Sequence, residues 1–148
     1  MINFRIIARV FSLVLVIEGL FMLLSAVVSI IYGEHSSLIL SGIITTVTGV
    51  LVFTPLHNEE KLYGNKEGYI IVTGIWLVLC LFGTIPYLLS GTIKDFGDAF
   101  FESMSGFTTT GASIITNVES LPHGILFWRS LTQWLGGLGF IIISLSVL

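Results

Sequence analysis

From Phe96 to Ile115 the chain reads Phe-Gly-Asp-Ala-Phe-Phe-Glu-Ser-Met-Ser-Gly-Phe-Thr-Thr-Thr-Gly-Ala-Ser-Ile-Ile. Its chemistry lies in Thr108, Thr109, Thr110, Gly111, Ala112 and Ser113. Threonines favour an extended backbone with restricted side chains, and Gly111 takes φ values closed to other residues. Together they let successive carbonyls turn toward one axis, and a ring of such carbonyls replaces the water shell of a dehydrating cation. Asp98 and Glu102 stand upstream in what reads as the early turns of a short helix, where carboxylates suit the N-terminus. Gly106 closes that helix. About 12 residues at 1.5 Å each make only ~18 Å, too short to cross a bilayer. The segment therefore reads as a short helix descending from outside, followed by an extended return. Non-helical backbone at membrane depth is tolerated only where it is buried in protein or lines a watery cavity.

The elements that position this loop follow from composition. The chain has 148 residues, 54% hydrophobic and 10% charged, with a mean hydropathy of +1.00. Soluble domains carry about a quarter charged residues, so the apolar surplus calls for lipid. Stretches near the ~20 residues of a spanning helix run from Ile6 to Tyr32, Leu38 to Leu56, Tyr69 to Leu89 and Ile125 to Leu148. The first is too long for the roughly 7 to 15 residues of a signal core and reads as a retained helix, the alternative being cleavage near Ser25 or Ala26. Arg5, Arg9, Lys61 and Lys66 precede the first span or lie between the second and third. By the positive-inside rule both positions face the cytoplasm.

Glu34, Asp95, Asp98, Glu102 and Glu119 then fall outside, opposed by Lys94 and Arg129, and an acidic vestibule concentrates cations. The plainer alternative is that Asp98 and Glu102 merely cap a helix while Glu34 and Glu119 are solvated. Arg129 either snorkels outward or pairs with Asp98 or Glu102 to brace the short helix. Glu18, inside the first span, is expected to hydrogen-bond to a neighbouring helix or subunit, with cation handling as the alternative.

Other chemistries find no support. The net charge is −3 with no basic run, which argues against nucleic-acid binding. Cys80 is the one cysteine, so an intrachain disulfide is excluded. His35, His57 and His123 divide between the two sides of the membrane. No nucleophile has a base partner, no lysine follows a glycine-rich loop, and enzymatic activity is not expected. Gly136, Gly137 and Gly139 lie in an apolar helix with no preceding strand, which rules out a dinucleotide fingerprint and suits close packing. Ser41, Thr45, Thr48 and Gly49 give the second span a small-residue face. Trp76, Trp128 and Trp134 read as interface or packing aromatics.

The run Phe100 to Ala112, with Leu121-Pro122-His123-Gly124-Ile125-Leu126-Phe127-Trp128-Arg129-Ser130-Leu131-Thr132-Gln133-Trp134-Leu135-Gly136-Gly137-Leu138-Gly139, resembles the first pore-loop unit of Trk-type potassium uptake proteins, the TrkH/TrkG branch of the Trk/Ktr/HKT superfamily. The resemblance implies an all-α integral membrane fold: two leading transmembrane helices, then one potassium-channel-like unit of helix, re-entrant pore loop and helix. The corresponding domains are 1–66 and 67–148. Within the second, Tyr69 to Leu89 is the outer helix, Phe96 to Phe107 the pore helix, 108–113 the filter strand, and Ile125 to Leu148 the inner helix.

It further implies a selectivity filter at Thr108, Thr109, Thr110, Gly111 and Ala112, with potassium on the carbonyls around Thr109, Thr110 and Gly111. Asp98, Glu102 and Arg129 support the pore helix. In related plant transporters a serine matching Gly111 accompanies sodium preference, so the glycine argues for potassium. No cofactor is expected beyond the transported ion. The implied partners are the lipid bilayer, a second copy in a homodimer and a cytoplasmic nucleotide-binding TrkA-like regulatory subunit. The implied location is a bacterial-type inner (plasma) membrane, multi-pass with a cytoplasmic N-terminus. One strand is a quarter of a ring, so the chain reads as the N-terminal part of a longer transporter; the rival reading is a structural or accessory membrane protein without a pore.

Overall fold

A computed structural model describes residues 4–56 and 65–147, with side chains described for 4–55 and 68–139. The described residues form helices and no strands: α1 Phe4–Ile31, α2 Ser37–Phe53, α3 Asn65–Gly83, α4 Ile85–Ser90, α5 Phe96–Phe107 and α6 His123–Val147, with short 3₁₀ turns at Thr54–Leu56 and Val118–Ser120. The basic loop residue Lys61 and the imidazole of His57 lie outside the described residues.

Two helical stretches, Phe4–Ile31 and Gly68–Ser90, are long and apolar enough to cross a membrane, and Ser37–Phe53 is apolar but shorter. At 28 residues, α1 extends about 42 Å at 1.5 Å per residue. Gly33 ends it in the left-handed conformation, φ 69°. The Glu34 N–H then reaches back to the Ser29 carbonyl at 2.9 Å and the Gly33 N–H to that of Ile30 at 3.0 Å, satisfying two of the helix's last carbonyls. The return, α2, packs against α1 through small residues. A Cβ on Gly42 would sit 2.8 Å from the Leu23 side chain, and one on Gly49 would sit 2.8 Å from the Ser12 carbonyl. Ser41, Thr45 and Gly49 are buried in this seam, as a small-residue packing face requires. Thr48 turns its hydroxyl back onto the Ile44 carbonyl at 2.7 Å.

The third expected span is an interrupted helix. Pro86 has no N–H to give the preceding turn, so the helix breaks at Thr84, between α3 and α4. Gly91, at φ 70°, closes α4. Across α1 to α3, Leu13, Ile17, Leu20, Leu24, Leu40, Ile43, Val47 and Leu77 remain exposed. An apolar surface that broad on helices of spanning length faces hydrocarbon rather than water.

The short α5 lies at the centre. Its Ala99, Glu102, Ser103, Ser105, Gly106 and Phe107 are buried, against α3 on one side and α6 on the other. Trp128, Tyr87, Phe107, Met22 and Ile125 fill the core around it. The Trp128 indole N–H donates to the Gly83 carbonyl at 3.4 Å. Trp128 is therefore a core residue, whereas Trp134 is exposed and meets Phe21 edge-on at 6.4 Å.

Candidate functional site

Asp95, rather than Asp98, caps α5: its carboxylate accepts the Asp98 N–H at 3.1 Å. Asp98 sits exposed in the first turn. At the other end the chain folds the loop's N–H groups under the helix. Thr108 N–H donates to Met104 O at 2.9 Å, Thr109 N–H to Gly106 O at 3.0 Å, and Thr110 N–H to Ser105 O at 3.0 Å, which the Gly111 N–H also approaches at 3.5 Å. These donors satisfy last-turn carbonyls that a helix terminus otherwise leaves orphaned. The end of α5 is accordingly no open ring of carbonyls, and its dipole acts on the loop only as a field.

The extended return expected at 108–113 does not begin at Thr108, whose backbone at φ −78° and ψ 0° still follows the helix end, because the N–H groups of Thr108 to Thr110 fold back on the last turn. Thr109 is left-handed at φ 57° and Gly111 at φ 77°. Left-handed backbone costs a non-glycine residue roughly 1–2 kcal/mol, which at Thr109 is offset by the bond to Gly106. Among the described residues, no hydrogen bond reaches the carbonyls of Thr108, Thr109, Thr110 or Gly111, and residues 108–114 are exposed. The hydroxyls of Thr108 and Thr110 lie 2.8 Å apart, and that of Thr108 is held by the Met104 carbonyl at 2.7 Å.

Ala112 differs from its four predecessors. Its carbonyl accepts the Ser105 hydroxyl at 2.5 Å. Next along the chain, the Glu102 carboxylate accepts the Ser113 hydroxyl at 3.0 Å and the Ile114 N–H at 3.0 Å. The same carboxylate takes the Arg129 Nε–H at 2.7 Å, with side-chain exposures of 1% for Glu102 and 17% for Arg129. Glu102 and Arg129 are thus brought together from α5 and α6, and Asp98 stands apart from them. Behind the loop, a Cβ on Gly136 of α6 would collide with the Phe107 carbonyl, whereas one on Gly137 would reach only to 3.9 Å from the Thr109 methyl. A cavity of about 260 Å³ lies there, lined by Trp76, Phe107, Thr108, Thr109 and Gly136.

Two of the carboxylates expected on the outer side are engaged within the fold. Glu102 is buried and paired. Glu34 is engaged at the start of α6, accepting the backbone N–H of His123 at 2.8 Å and of Gly124 at 3.3 Å, with the His123 Nδ1 at 2.7 Å. Tyr32 stacks on the imidazole at 3.9 Å and 3°. Partial desolvation pushes the Glu34 carboxyl up, but the His123 and Gly124 N–H groups and the imidazole outweigh it and hold the group below the usual carboxylate range. Glu18 makes no hydrogen bond to a neighbouring helix: both its oxygens are buried without a partner among the described residues. One lies 3.4 Å from where a Gly83 Cβ would stand. No group of three or more potential metal-ligating side chains occurs among the described residues.

Reading the sequence alone missed Ser105, Asp95 and the Glu34 to His123 contact. Ser105 was detectable from its spacing, since Glu102 and Ser105 are at i, i+3 on one helix face. Asp95 was detectable as an acidic residue immediately before an apolar periodic run. The Glu34 contact spans 89 residues of chain and leaves no local signal.

The family model described as TrkH, cation transport protein, matches residues 34–148. The chain is 36% identical to the Trk system potassium uptake protein TrkH of Halomonas elongata, over 99% of this chain and 31% of that protein. It is 34% identical to the protein of the same name from Escherichia coli strain K12, with the same coverage. Among solved structures, the potassium transporter TrkH from Vibrio parahaemolyticus superposes with a TM-score of 0.92 at 32% identity, over 99% of this chain and 32% of that one. The chain spans about a third of the length of these relatives.

Proposed function

Since the chain belongs to the TrkH family of cation transport proteins, we propose that it forms the N-terminal part of a potassium uptake transporter and supplies one quarter of a carbonyl-lined selectivity filter. One observation carries this reading: the N–H groups from Thr108 to Gly111 turn into α5, and the carbonyls of the same residues are left without hydrogen-bond donors on an exposed surface. Exposed carbonyls without protein donors are open to water or to a cation that exchanges its water for them, which is what a carbonyl-lined filter requires.

In this reading, carbonyls of Thr109, Thr110 and Gly111 take over part of a potassium ion's hydration shell, with Thr108 at the edge. Alternation of left-handed residues with ordinary ones keeps successive carbonyls from pointing to opposite faces, as they do in a regular strand. Glu102 and Arg129 clamp the segment after the filter, fixing its geometry from behind. Asp98 adds negative charge at the outer end of the pore helix. The functional division falls at 1–66 and 67–148, with α5 and 108–113 forming a re-entrant pore loop between the interrupted outer helix and α6. The N-terminus faces the cytoplasm of a bacterial-type inner membrane, as the basic residues favour. The whole transporter works as a homodimer with a cytoplasmic nucleotide-binding TrkA-like subunit, as the family resemblance implies.

The test is Gly111→Ser in the whole transporter, expressed in a host deficient in potassium uptake. A side chain strains a backbone at φ 77° and disturbs the carbonyl on either side. The expected outcome is normal membrane insertion with reduced preference for rubidium over sodium. Unchanged ion preference refutes the filter assignment.

A further inference from the structure

Ser105 lies in the last turn of α5 and is 6% exposed. It meets the loop twice. Its backbone carbonyl accepts the Thr110 N–H at 3.0 Å and is approached by that of Gly111 at 3.5 Å, and its hydroxyl donates to the Ala112 carbonyl at 2.5 Å. One buried residue therefore holds the N–H side of Thr110 and Gly111 and the carbonyl side of the residue that follows. The hydroxyl bond occupies the Ala112 carbonyl, so the series of donor-free carbonyls ends at Gly111.

We propose that Ser105 is a specificity-determining positioning residue: it ends the cation-facing set of carbonyls at Gly111 and fixes the spacing of those it leaves. This rests on the filter reading of residues 108–112. Ser105 touches no ion; it acts through Ala112 and the left-handed turn at Gly111. The ligand is a dehydrated monovalent cation. Discrimination between two such ions of different radius requires that the carbonyls not close in on the smaller one. A filter released at Ala112 gains an extra carbonyl able to swing inward, and the residue that follows Gly111 loses its side-chain tether; both changes favour the smaller cation.

The experiment uses the whole transporter, measuring the sodium concentration that halves rubidium uptake, normalised to protein in the membrane. Ser105→Ala deletes the hydroxyl and is expected to lower that concentration about fivefold, the factor matching loss of one hydrogen bond. Ser105→Thr keeps the hydroxyl and is expected to restore the wild-type value. Should Ser105→Ala fail to accumulate, Ser105→Cys carries the test, since its thiol is a weaker donor of similar size. An intermediate value supports the proposal and a wild-type value overturns it. A mere packing role lowers uptake without moving sodium competition, which also overturns it. Gly111→Ser run in parallel separates the two ideas. If it alters competition while Ser105→Ala does not, Ser105 has no such role and the filter stands. If neither does, the filter reading itself has failed.

Discussion

Removing the Arg129 charge should cost far more than reshaping it. Glu102 is 1% exposed and its carboxylate collects the Arg129 Nε–H at 2.7 Å with the Ser113 hydroxyl and the Ile114 N–H at 3.0 Å each. Arg129→Gln leaves that buried carboxylate without its cation, a loss of about 3–5 kcal/mol when one partner of a buried pair is deleted. Arg129→Lys retains a charge within reach and forfeits the guanidinium geometry, for which about 1 kcal/mol is the scale of one hydrogen bond. The Glu102→Gln change keeps an acceptor for Ile114 while removing the charge, so in combination with Arg129→Gln it relieves the penalty of the unpaired carboxylate. The double variant should be more stable than the sum of single losses by roughly 2 kcal/mol, within the range of contacting pairs. Thermal melting of the detergent-solubilised transporter, over all four species of the cycle, reads this directly. Additive losses, or equal losses in Arg129→Gln and Arg129→Lys, would refute the charge argument; equal losses would place the whole effect in a guanidinium-specific contact.

Two further outcomes are expected. The Glu34 carboxyl is held below the usual range, so its stabilisation is complete above the ordinary carboxylate pKa of about 4.3 and is lost as pH falls through the lowered value. Glu34→Gln should therefore melt lower than wild type at neutral pH by an amount on the scale of a helix cap, about 1 kcal/mol, and the gap should close in acid; a gap independent of pH speaks against the carboxylate contact. Gly136→Ala should lose about 1–3 kcal/mol through overpacking and impair uptake, because its methyl meets the Phe107 carbonyl. Gly137→Ala, with 3.9 Å to the nearest neighbour, should be tolerated, and equal effects of the two would show that Gly136 does not set the base of the loop.

Much of the fold is legible because it is written in local runs of apolar residues. The spans expected at Ile6 to Tyr32 and Leu38 to Leu56 correspond to α1 and to α2 with its 3₁₀ turn. The helix expected over Phe96 to Phe107 is α5. The span expected at Tyr69 to Leu89 corresponds to α3 and α4; its interruption at Thr84 leaves no trace in hydropathy, which is blind to the N–H missing at Pro86. In the loop, composition pointed to carbonyl coordination but described the backbone as extended. Its left-handed residues arise from bonds to the end of α5, which depend on three-dimensional closure rather than on threonine's own preference. Pairing was partly legible: Arg129 was expected to meet Asp98 or Glu102, and only burial on the α6 side of α5 selects Glu102. The engagement of Glu34 was out of reach, as its partner lies 89 residues away.

The same long-range contacts tie the two leading helices to the loop that follows α5. α6 holds the loop at two points, Arg129 through Glu102 at Ser113 and Ile114 and Gly136 beneath the Phe107 carbonyl. Those points keep their spacing only if α6 neither slides along its axis nor rotates. Its N-terminal end is fixed by Glu34, whose carboxylate accepts the first two N–H groups of the helix, and by the Tyr32 ring stacked on His123. Glu34 in turn is set by the Gly33 turn and the Ser29 carbonyl. Ser29 packs against Gly124, where no Cβ could be accommodated. A slip of α6 by one residue, about 1.5 Å, breaks the Glu34 cap and the Glu102 pair together. The leading helices thus act on the loop after α5, the proposed filter, through the register of α6.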